Sequence, residues 1–126
     1  MAKIEIPISL GELVDKIIIL EIKKSMIKDS TKLKYIESEF DLLSSILNES
    51  SVEVPEILHQ KLYAINLSLW NIENEIREKE IRLDFGDGFI ELARSVYQTN
   101  DMRSLVKRKI TELDKNSVVQ EQKSYA

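Results

Sequence analysis

The chain has 126 residues, with 18 Lys and Arg against 22 Asp and Glu and a formal net charge of −4. That length is one domain's worth and allows a core without staples, and the acidic balance argues against general nucleic-acid binding. With no cysteine, disulfides, thiolate metal sites and a cysteine nucleophile are excluded, which fits a reducing compartment.

Residues 3–8 (Lys3, Ile4, Glu5, Ile6, Pro7, Ile8) alternate apolar and polar. They predict a short strand that Pro7 confines to an edge. Its ladder partner is either Val118–Val119 in the tail or a second subunit. Ser9 and Glu12 form an S-x-x-E capping box opening helix 1 at about 10–28. Ile17 to Leu20 run the whole way round that helix, so it is either central to the domain or shared with a partner chain. The run is far shorter than the roughly 20 residues a bilayer requires. A cytoplasmic location and no membrane partner are the expectation.

Asp29 or Ser30 caps helix 2, at about 31–48, where Leu33, Ile36, Phe40, Leu43 and Leu47 follow the spacing of a coiled-coil seam. Pro55 suits a first helical position. Helix 3 then runs to about Leu83 on a second seam of Leu58, Leu62, Ile65, Leu69, Ile72 and Ile76. Two seams joined by a short loop predict an antiparallel hairpin of helices 2 and 3. Tyr63 and Trp70 broaden the apolar face of helix 3 toward helix 1.

Asp84–Gly88 stops helix 3, its glycines suited to left-handed backbone angles and Asp87 to capping the next helix. Helix 4 spans about 89–98. Thr99 or Asn100 caps helix 5, at about 101–114. The predicted fold is mainly all-α, a bundle of about five helices with a short N-terminal strand. Residues 1–115 form a single helical domain and 116–126 a polar tail.

The stretch FGDGFIELARSVYQTNDMR (residues 85–103), with the opening KIEIPISLGELVDKIIILEIK and the closing QKSY, resembles a family of small bacterial proteins classed as a domain of unknown function. The likeness spans nearly the whole chain. It implies a compact bacterial domain and brings no catalytic residue with it.

Glu91, Arg94, Tyr97, Asn100 and Arg103 are the candidate ligand site. Arg94 and Arg103, with the free N–H groups opening helix 5, can hold a carboxylate or phosphate. The competing view has Glu91 paired with Arg94 and Asn100 as a plain cap. Asp84-Phe85-Gly86 copies a kinase tripeptide in letters only, since it follows a helix and no His-Arg-Asp loop precedes it. Glu37, Glu39 and Asp41 on helix 2, with Glu73, Glu75, Glu78 and Glu80 on helix 3, suggest Mg²⁺ or Mn²⁺ between facing helices. A solvated charged face explains them better, since the helix 3 acids come with basic partners. His59 alone builds neither a His-rich metal site nor a triad.

No catalytic residue, metal or cofactor is therefore expected. The favoured function is a small interaction or binding module, a homodimer, with an anion site on helices 4 and 5. The alternative is a helical-bundle enzyme holding an anionic metabolite, which requires Arg94 and Arg103 to converge with Lys23 or Lys24. A metal-dependent nucleotide pyrophosphohydrolase ranks below that.

Overall fold

Ser9 opens the first helix with one half of the expected capping box: its hydroxyl accepts the Glu12 N–H at 3.2 Å, while the Glu12 carboxylate turns to Lys107. A computed structural model describes residues 3–114, which hold four helices. They are α1 (Leu10–Met26), α2 (Ser30–Glu49), α3 (Glu56–Ile81) and α4 (Asp87–Thr111). Asp29 caps α2, its carboxylate accepting the N–H groups of Thr31 and Lys32. Pro55 precedes the first turn of α3.

The core is a column along α1. Leu10, Val14, Ile18 and Ile22, spaced four apart, meet Leu62, Ile65 and Leu69 of α3 and Val106 and Ile110 of α4. Residues four apart share one helix face, which is why this set can bury together. Leu13, Ile17 and Leu20 are also buried, on a second flank of α1. The all-round apolarity of helix 1 is thus explained by a central position within one chain: α1 packs against α2, α3 and α4. Tyr63 and Trp70 are partly buried against this core, as expected.

Several sequence expectations need correction. The five-helix count falls to four, because predicted helices 4 and 5 are one continuous α4. Thr99 and Asn100 are cap-type residues, but no Gly or Pro accompanies them, and half-buried Leu92 and Val96 before them keep one helical spacing with buried Val106 and Ile110 after them. The hairpin of helices 2 and 3 does not form. Among the other helices α2 touches only α1, while α3 packs on α4 and α1. The N-terminal strand is absent among the described residues. Residues 3–8 are exposed and without a ladder partner, so their backbone groups are left to water and no strand forms. Val118 and Val119 lie outside the described residues.

The α3–α4 turn also departs from expectation. None of the described glycines takes a positive φ; Leu83 does, at 54°. The Leu83 N–H bonds the Glu80 carbonyl at 3.0 Å and the Asp84 N–H bonds the Lys79 carbonyl at 2.9 Å. That is a Schellman closure with leucine where glycine is usual. Asp84 then pins the turn, pairing with Lys79 at 3.1 Å and accepting the Gly86 N–H. The Lys79 hydrogen bond holds the Asp84 carboxyl below its ordinary range. Gly86, not Asp87, takes the cap position of α4.

Candidate functional site

The densest polar cluster lies where α1, α3 and α4 meet. Asp15 stands between apolar Val14 and Ile17–Ile18, and its side chain is only 2% exposed. A carboxylate so placed must be paired and hydrogen-bonded. Arg103 supplies both requirements, its Nε donating to Asp15 Oδ1 at 3.0 Å and its Nη2 to Oδ2. The Asn66 amide of α3 donates to the same Oδ1 at 2.8 Å.

One turn earlier on α1, Glu12 accepts from Lys107 of α4, whose Nζ also stands 3.8 Å from Asp15 Oδ2. Glu12 and Asp15 are three apart on α1, Arg103 and Lys107 four apart on α4. Each pair projects from one face, and because the helices run antiparallel the rungs follow one another without crossing, Glu12 with Lys107 and then Asp15 with Arg103. A further rung ends the ladder: the Gly11 N–H donates to Thr111 Oγ1 at 2.9 Å. The helix backbones approach closely here. A Cβ on Gly11 would lie 2.2 Å from the Lys107 carbonyl oxygen and 2.6 Å from Thr111 Oγ1. Only glycine fits that contact.

Two cations face two carboxylates, so the cluster is balanced in charge. No buried side-chain nitrogen or oxygen among the described residues lacks a partner. The hydrogen bond to Asp15 raises the affinity of Arg103 for its proton above the ordinary arginine range. Arg103 is thus committed to Asp15, and an incoming anion must displace a buried carboxylate to reach it in the same way.

Of the residues singled out in the sequence, the structure brings together Asn100 and Arg103, whose Nη1 lies 3.5 Å from the Asn100 side-chain oxygen. Glu91, Arg94 and Tyr97 are exposed further along α4. Steps of three residues turn 300° each, so Glu91 and Arg103 end about 120° apart round one straight helix. The free N–H groups expected at helix 5 belong to the interior of α4. Arg94 is exposed, Arg103 faces Asp15 and Lys24 lies over the Phe40 ring at 4.4 Å. The convergence that a bundle enzyme needs is therefore not formed by these groups.

Glu37 and Asp41 are exposed on α2, which does not touch the α3 carrying Glu73, Glu75, Glu78 and Glu80. No group of three or more potential metal ligands converges among the described residues. His59 stands 3.9 Å from Glu21, a link between α3 and α1. No described helix is long and apolar enough to cross a membrane.

Sequence reasoning missed Gly11, Asp15, Asn66, Lys107 and Thr111. The available signal was Asp15, a charge interrupting an apolar run, which demands a partner wherever it is buried.

The chain belongs to DUF6165, a family of unknown function whose pattern matches residues 2–126. No curated protein and no solved structure matches it.

Proposed function

We propose that the protein is a small cytoplasmic interaction module that works as a homodimer. The observation that carries this reading is α2. This helix of 20 residues has no buried residue, and it touches none of the other helices except α1. It nevertheless carries Leu33, Tyr35, Ile36, Phe40, Leu42, Leu43, Ile46 and Leu47. A helix with so much apolar surface gains stability chiefly by packing it away. One face rests on α1, and the remainder is the kind of surface that marks a protein contact.

The ladder between α1 and α4 supports the same reading. Its charges satisfy one another, which suits a rigid scaffold presenting a surface. A cysteine-free chain fits the reducing cytoplasm.

Sedimentation equilibrium at micromolar concentration tests the assembly. The expected mass is twice the 14.6 kDa of one chain. A single-chain mass at every concentration up to about 100 μM, well above the micromolar range of functional contacts, ends the homodimer reading.

A further inference from the structure

We infer that two copies of the chain meet through the outer face of α2, packed antiparallel about a twofold axis passing between Phe40 and Asp41. The inference rests on the dimer reading above and gives it a surface.

The face is defined by Tyr35, Leu42 and Ile46, which are 73%, 54% and 43% exposed. Their spacing of seven and four residues places all three within about 40° of one another round the helix. The row lies to one side of Leu33, Ile36, Phe40, Leu43 and Leu47, which are half-buried. The outer surface of α2 also holds a shallow depression lined by Ser30, Thr31, Lys34, Tyr35 and Ser38. Thr31, Lys34, Tyr35 and Ser38 stand at i, i+3, i+4 and i+7. Four residues so spaced form the socket that receives one side chain of a facing helix.

Ile46 is the knob that completes this geometry. Seating the second copy's Ile46 in the socket, centred between residues 34 and 35, puts the axis between residues 40 and 41. Symmetry then fills both sockets with one contact, as a twofold interface requires. The same register sets Leu42 across from residues 38 and 39.

Charge selects the antiparallel direction. Lys32 and Lys34 lie early in α2 and Glu49 at its end. Antiparallel pairing brings Lys34 of each copy alongside Glu49 of the other. Parallel pairing would set like charges side by side. The surface is thus complementary to itself. Glu39 and Asp41 are the exceptions, since both fall near the axis and close to their own twins.

The test uses Leu42→Glu, Lys34→Glu and Glu49→Lys, all at exposed positions, with helix content checked by circular dichroism. Leu42→Glu is expected to weaken dimerisation at least tenfold in sedimentation. Lys34→Glu and Glu49→Lys should each weaken it alone, and an equimolar mixture of the two should form a heterodimer of near-parental strength, because both cross-pairs are then attractive. Glu39→Gln should tighten the dimer. If the parent is a dimer and Leu42→Glu leaves its strength unchanged, this surface is wrong while the dimer reading stands. If Leu42→Glu dissociates it but the charge-swapped pair does not associate, the antiparallel arrangement is wrong. A monomeric parent overturns both readings.

Discussion

α1 and α2 follow each other in the chain, are 17 and 20 residues long, and both carry apolar residues on more than one side. Yet α1 is buried along most of its length, whereas α2 buries no residue. The difference lies in neighbours. Three helices surround α1 and one touches α2. Similar sequence patterns therefore have opposite consequences: in α1 they build the core, and in α2 they leave a surface that a second molecule can use. If this contrast is right, substitutions in α1 should act on folding, and those on the outer side of α2 on assembly.

A large effect is expected at Gly11. Alanine there meets the Lys107 carbonyl and Thr111, so α1 and α4 must separate along the whole ladder. Overpacking of a tight contact commonly costs 1–3 kcal/mol, and a backbone obstacle belongs at the upper end, about 3 kcal/mol. For a domain of this size that lowers Tm by roughly 10 °C or more. Thermal unfolding followed by circular dichroism reads it directly. A Gly11→Ala melting curve that overlays the parent would mean the helices are not held this closely.

Next comes the Asp15–Arg103 pair. Removing one partner of a buried pair typically costs about 3–5 kcal/mol. Arg103 keeps partial access to water, so Arg103→Met should fall below that range, at about 2 kcal/mol. Asp15→Leu strands Arg103 and Asn66 together and should cost more, about 3 kcal/mol. The double variant should recover much of the loss, because two apolar side chains leave no charge unpaired. Urea unfolding of the four proteins completes the cycle. Strict additivity would show that the pair does not act as one unit.

The local features were legible because their causes are local. Ser9 with Glu12, Asp29 and Pro55 announce helix starts through groups within one turn of each other. The seam from Leu58 to Ile76 shows itself by spacing alone. Which seam meets which was not legible. A row of leucines at 3-4 spacing suits any apolar partner, so the rows of α2 and α3 read as mates although they never touch. The junction was hidden for a related reason. Asp15 and Arg103 are 88 residues apart, and nothing adjacent to either specifies the other. Arg103 and Asn100 were singled out for an anion site, and the structure instead sets Arg103 against a carboxylate of its own chain. The continuity of α4 misled in another way, because Thr99 and Asn100 are favourable caps, yet no Gly or Pro breaks the chain beside them and apolar residues keep their helical spacing on either side.

The smallest effect bears on the side of α2 that faces α1. Leu43 belongs to the seam on α1 but is only half-buried. Truncating a fully buried Leu or Ile to alanine costs about 2–5 kcal/mol, because transfer and cavity contributions add. Ile18, fully enclosed between helices, should show that full cost when changed to alanine. Leu43 keeps contact with water already, and its loss opens a groove rather than a cavity. Leu43→Ala should therefore cost only about 1 kcal/mol, since just part of the side chain leaves an apolar setting. The comparison must be made below the dimer dissociation constant, because association stabilises the folded state and would add to either value. Under those conditions a Leu43→Ala loss equal to that of Ile18→Ala would place α2 inside the folding core. The division between a helix that folds the chain and a helix that joins two chains would then disappear.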